Sequence, residues 1–124
     1  MNRIRVDGRA VPKGRPRMTR TGGVYTPATT VEFEKKVAAA WNTQMGMLSM
    51  VGDLRVVIHV YTDRAAKQDV DNLAKSVLDG LQRGGAFAVG DEQVKTLVIT
   101  KHDTKVDLCT MVTIAHYDDY HSLA

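Results

Sequence analysis

The chain has 124 residues, 44% hydrophobic and 25% charged, with a formal net charge of +3; this is the size and make-up of one globular domain rather than two. No apolar run approaches the ~20 residues needed to cross a bilayer, and no apolar core follows the charged start Met1-Asn2-Arg3-Ile4-Arg5, so neither a membrane span nor a secretory signal is expected. Cys109 is the sole cysteine and lies in an apolar alternation, away from any helix start or cation, so it reads as a structural thiol in a reducing, cytoplasmic setting.

Residues 3 to 10 alternate as a strand, with Ile4 and Val6 on one side and Arg3 and Arg5 on the other. Residues 1–20 hold seven cations (Arg3, Arg5, Arg9, Lys13, Arg15, Arg17 and Arg20) against Asp7 alone, while the other 104 residues carry 10 basic and 13 acidic side chains. A basic end on an acidic body favours a polyanionic partner, and guanidinium forks suit phosphate oxygens. Residues 11–28 have too much Pro and Gly for regular structure and are expected to form an exposed basic arm, in which Gly22-Gly23 can turn a short hairpin. Thr29 and Glu32 make a capping-box pattern, and Phe33, Val37, Trp41, Gln44 and Leu48 follow at helical spacing. A first helix is therefore predicted from about residue 30 to 46, with Trp41 in the core.

Leu54, Val56, Ile58 and Val60 alternate with Arg55, Val57, His59 and Tyr61 as a half-buried strand, which leaves His59 on the more polar face. A polar connection at residues 63–68 leads into Asp69-Val70-Asp71-Asn72. From Asn72 the stripe Leu73, Ala74, Val77, Leu78 and Leu81 predicts a second helix that stops at Gly84-Gly85. Two further strands, about 94–101 and 106–116, are predicted to pair as an antiparallel hairpin through Asp103-Thr104-Lys105, and residues 118–124 to be a flexible tail. The expected fold is α+β: one small domain over residues 1–117, with a mixed β-sheet packed against two main helices.

Side chains two apart in an extended segment point the same way, so Asp69 and Asp71 are expected to face one cation while Val70 turns to the core. Mg²⁺ is commonly held by one or two carboxylates plus substrate phosphate oxygens, and the metal acidifies an attacking water. Lys75 follows Asp71 by one helical turn, where an ammonium can offset charge on a phosphate, and Asp79 follows a turn later. Asp91 ends the loop that returns to the next strand and is expected beside the pair. The same residues also read as a plain helix start, with Asp71 or Asn72 as N-cap, Asp69 at the positive helix end, Lys75 paired to Asp71 or Asp79, and Asp91 in a turn after Gly90. On spacing alone both readings stay open.

The run Lys67-Gln68-Asp69-Val70-Asp71-Asn72-Leu73-Ala74-Lys75-Ser76-Val77-Leu78-Asp79-Gly80-Leu81, followed by Asp91-Glu92-Gln93-Val94, closely resembles the signature of RusA-type Holliday-junction resolvases, many of them phage or prophage proteins. Pro12-Lys13-Gly14-Arg15-Pro16-Arg17 and Tyr25-Thr26-Pro27 are similar to that family's N-terminal region, so the resemblance spans roughly residues 10 to 100. It implies a homodimeric, structure-selective endonuclease that uses Mg²⁺, with Mn²⁺ as a substitute. Asp69, Asp71 and Asp91 would be the metal-binding catalytic carboxylates and Lys75 the catalytic lysine. Two departures stand out: Gly90 precedes Asp91 where members often carry an acidic pair, leaving the role of Glu92 open, and Gln68 stands where some carry a basic residue.

The expected partners are therefore a four-way DNA junction and a second copy of the chain, with Lys13, Arg15, Arg17, Arg20 and Lys67 on the DNA. A C2 dimer matches the approximate two-fold symmetry of such a junction and makes paired nicks. Two rivals differ in class: a non-catalytic branched-DNA-binding protein on the same fold, and a metal-dependent enzyme acting on a small phosphorylated substrate.

Overall fold

Alternation of β-branched and polar residues makes Leu54–Thr62 the central strand, because one face is buried at every second position. The computed structural model describes residues 2–15 and 17–118. In chain order these form β1 (Asn2–Asp7), β2 (Arg17–Met18), β3 (Val24–Tyr25), α1 (Ala28–Met45), β4 (Leu54–Thr62), α2 (Val70–Arg83), β5 (Val94–Asp103) and β6 (Cys109–His116). Single 3-10 turns at Ala65–Lys67 and Asp91–Gln93 flank α2. Four strands make a mixed sheet in the order β1-β6-β4-β5, and β2 and β3 make a separate two-stranded ribbon. The α+β expectation holds. No helix among the described residues is long and apolar enough to cross a membrane.

Both helices cover one face of the sheet. Phe33, Val37 and Trp41 of α1 and Leu73, Val77 and Leu81 of α2 meet Leu54, Val56, Ile58 and Val60 of β4 in one core, each large apolar side chain contributing ~1.5–3 kcal/mol by leaving water. Trp41 is fully buried, as expected, and its indole N–H donates to the Leu48 carbonyl at 2.7 Å. The helices approach closely at Gly80, where an added Cβ would lie 2.6 Å from Val37 Cβ and 2.9 Å from the Glu34 carbonyl oxygen. On the opposite face of the sheet, His59 bonds His102 through ring nitrogens 2.8 Å apart, and Tyr61 stacks on His102.

Several expectations need correction. β5 and β6 are not a hairpin: β5 runs parallel to β4 at the sheet edge, while β6 lies antiparallel between β4 and β1. Thr29 is not an N-cap, because Pro27 fills that position with no side-chain cap, and α1 starts at Ala28. Pro27 presets the entry dihedral, and the neighbouring hydroxyl of Thr30 is engaged elsewhere. Leu48 lies beyond the end of α1.

The arm is also only partly exposed. Residues 10–14 form a strap fixed to both helices by backbone and side-chain bonds. Gln68 Nε2 donates to the Ala10 carbonyl at 2.9 Å, Ser76 Oγ to the Val11 carbonyl at 2.7 Å, and the Lys13 amide to the Asn72 carbonyl at 2.8 Å. Thr30 Oγ1 donates to the Pro12 carbonyl and accepts from the Gly14 amide. Only beyond this staple does the chain leave the body, as the β2–β3 ribbon. Of the expected tail, residues 119–124 lie outside the described residues.

Candidate active site

The end of β4 and the start of α2 build the site. After Thr62 the chain makes its 3-10 turn, which Lys101 of β5 braces by donating its ammonium to the carbonyls of Ala65 and Gln68, both at 2.6 Å. The Gln68 side chain is buried, accepting from Thr62 Oγ1 at 3.0 Å while it holds Ala10. Asp69 is thus presented on a backbone fixed from behind.

The segment is not extended through Asp71, contrary to the expectation. Asp69 is the N-cap of α2, with φ −81° and ψ 136°, and helix begins at Val70. Val70 is 40% exposed and does not turn to the core, because the helical stripe beginning at Leu73 fills that space instead. Yet the plain helix-start reading is incomplete, since the Asp69 carboxylate makes no capping bond and, among the described residues, accepts a hydrogen bond only from the Asn72 side-chain amide, at 3.5 Å. Asp71 lies exposed in the first turn. Lys75 projects one turn later, 4.0 Å from Asp79. Two uncommitted carboxylates at a positive helix end, followed by an ammonium, form a hard-oxygen donor set that fits a small divalent cation bridged to a phosphate.

Asp91 does not join them. In the parallel pair, Val94 lies beside Leu54 and Asp103 beside Thr62, so α2 runs back along the sheet and delivers Asp91 to the end opposite Asp69. Among the described residues no three His, Cys, Asp or Glu side chains converge to hold a metal. The Asp91 loop is nonetheless firmly built. Gln93 is buried; its Oε1 accepts from the amides of Val89 and Gly90 and its Nε2 donates to the carbonyls of Met50 and Gly52. Glu92 is exposed beside Gly90.

The candidate DNA-binding cations divide into three groups. Lys13 is held inside the fold, 2.8 Å from Glu34 and 2.9 Å from Asp79, and Arg83 reaches the other oxygen of Glu34 at 3.2 Å. Burial disfavours the Lys13 charge, but the hydrogen bonds that its ammonium donates to Glu34 and Asp79 outweigh it and hold the pKa above the usual lysine value. Lys67 and Arg64 stay exposed on a cleft of about 460 Å³ lined also by Arg9, Asp63 and Asp103. There Arg9 grips Asp63 with two bonds of 2.8 and 2.6 Å, and that hydrogen bonding lowers the Asp63 pKa. Arg15 and Arg20 are exposed on the arm; Arg17 belongs to β2, and its side chain lies outside what is described.

Sequence reasoning missed Gln68, Ser76, Gln93 and Lys101, the polar side chains that hold the site's backbone. Ser76 did carry a signal: it interrupts the apolar stripe between Leu73 and Val77, where a polar group needs a buried partner. The family described as endodeoxyribonuclease RusA matches residues 7–115. No curated protein matches the chain.

Proposed function

The chain belongs to the endodeoxyribonuclease RusA family, whose members act on Holliday junctions, and from that premise we propose that it resolves four-way DNA junctions by paired Mg²⁺-dependent cuts during recombination and repair. The observation that carries this reading is the start of α2, where Asp69 and Asp71 are free of capping bonds and Lys75 follows one turn later.

Asp69 and Asp71 would hold the divalent cation, Mg²⁺ or in its place Mn²⁺. When bound, such a cation supplies Lewis acidity at the scissile phosphate and acidifies a water for attack. Lys75 offers an ammonium to the charge that builds on the phosphate, and Asp79 steadies it from the next turn. Exposed Lys67, Arg15 and Arg20, with Arg17, bind flanking phosphates and give affinity without base readout.

Asp91 acts across a dimer. It stands at the far end of α2 from its own Asp69, and β5 is the open edge that runs between those two ends. A two-fold axis across β5 would bring each Asp91 to the partner's Asp69 and Asp71, completing two equivalent sites. An edge strand of ten residues with Leu97 and Val98 partly exposed is a natural template for such pairing. Two sites related by a two-fold axis then nick the two like strands of a junction.

The test is cleavage of a labelled four-way junction beside a linear duplex of the same sequence, with Mg²⁺ or EDTA, by wild type and by Asp71→Asn. Symmetric nicks only in the junction, only with Mg²⁺ and only by wild type are expected. Tight binding without cutting under every metal condition would replace this reading with a non-catalytic junction-binding protein.

A further inference from the structure

The apolar side chains of the β2–β3 ribbon have no part in the chemistry described so far, yet they stand well exposed to solvent. Arg17 pairs with Tyr25 and Met18 with Val24, and directly opposed residues of an antiparallel pair share a face. Met18 and Val24 therefore form one apolar patch, and they are 74% and 68% exposed. Tyr25 is half exposed on the other face. An isolated two-stranded ribbon is marginal in water, but this one is organised at both ends. At the tip, the Thr19 amide donates to the Gly23 carbonyl at 2.7 Å, Thr19 Oγ1 accepts from the Gly23 amide at 2.9 Å, and Gly22 adopts φ +87°. At the base, Gly14 packs so tightly on Pro27 that an added Cβ would lie 2.7 Å from its ring, and Thr30 staples the strap beneath it.

Charge selects what meets this patch. Between Gly8 and Val31 the chain carries Arg9, Lys13, Arg15, Arg17 and Arg20 and not one acidic residue. A second copy brought face to face would oppose like charges, whereas nucleic acid supplies phosphates for the arginines and bases for the apolar face. Proteins that open DNA commonly insert such apolar side chains, Met among them, between base steps.

We propose that the β2–β3 ribbon is a wedge whose Met18–Val24 face enters the branch point of the four-way junction and holds apart bases there, while Arg15 and Arg20 grip the flanking phosphates. The inference rests on the junction reading above and adds to it the element that opens the substrate.

The experiment uses the full chain and a synthetic four-way junction carrying 2-aminopurine, a base whose fluorescence rises on unstacking, next to the branch point. Opening is read in EDTA and cleavage in Mg²⁺, for wild type and for Met18→Ser combined with Val24→Ser. Because both side chains are exposed, the thermal midpoint of the variant should match wild type. The wild type should raise the fluorescence and the variant should not. Cleavage of the paired junction should fall about tenfold, since the wedge no longer offsets the cost of unstacking a base step. A junction built with mismatches at its centre should recover most of the loss, because it needs no wedge. A variant that opens the paired junction as well as wild type would overturn the proposal. So would a variant that turns monomeric by light scattering, which would give the patch to a second copy. If wild type neither binds nor cuts any four-way junction, the function proposed above fails first and the wedge falls with it.

Discussion

Mixing Asp71→Asn protein with Asp91→Asn protein tests the separation of the two ends of α2. The helix has 14 residues, which at ~1.5 Å each spans about 20 Å. Two carboxylate oxygens on one Mg²⁺, bonded at ~2.1 Å, stand no more than about 4 Å apart. In the proposed dimer, Asp91 would therefore reach a shared cation only from the partner. Each variant alone makes homodimers with two damaged sites and should not cut. In a mixed dimer, one site collects both substitutions and the other collects neither. With free exchange at equal concentrations about half the dimers are mixed, so about a quarter of all sites are intact. Cleavage of a labelled junction should return to about that fraction of wild type, and the product should be a single nick rather than a pair. Mixed dimers isolated through two different affinity tags should carry one working site each. If such purified mixed dimers cut nothing, the assignment of Asp91 to the partner's site is wrong.

Gly80→Ala should destabilise the fold, although alanine favours an isolated helix by about 1 kcal/mol. The 2.6 Å approach to Val37 forces α1 and α2 apart, an overpacking cost of ~1–3 kcal/mol or more; a thermal midpoint equal to or above wild type would refute it, with the exposed Gln82→Ala as a neutral control. Lys13→Met leaves Glu34, whose side chain is 5% exposed, with Arg83 alone, and should cost about 1–3 kcal/mol in urea denaturation near neutral pH. The Lys13 pKa is raised in the fold, so its contribution is complete below the ordinary value of 10.5 and is lost as pH climbs beyond it. The gap between wild type and variant should therefore narrow in alkali, and a constant gap would assign the loss to packing. Burial pushes the Cys109 thiol up from its usual 9.0, so at pH 8 native protein should resist iodoacetamide and react only when unfolded. The buried thiol's share of stability likewise persists below that usual value and declines as pH rises above it. Rapid labelling of the native state would show that β6 opens readily.

Local pattern made much of the fold legible. The alternation through β4 and the stripe through α2 name the faces they bury, because side-chain direction follows from the backbone repeat alone. Neighbour choice does not: Val94–Asp103 and Cys109–His116 suit a hairpin as well as the arrangement they adopt, in which β6 inserts between β1 and β4. That error hid the position of Asp91, since a parallel return from α2 sends it to the far end whereas the D-x-D itself was plain. The strap was misread for a different reason. Pro and Gly exclude regular structure, but they do not exclude order, and residues 10–14 are held by Gln68, Ser76 and Thr30 from elements far away in sequence.

The pairing of β1 with β6 joins Asn2 to Ile114 and Asp7 to Cys109, so the first strand waits for the last. On the ribosome a growing chain holds its N-terminal strand unpaired until β6 has cleared the exit tunnel. Such long-range closure slows folding and leaves an apolar edge open meanwhile. A message cut short before β6 would leave β1 with no strand to pair with and β4 with an open side, and so a sheet split at its middle.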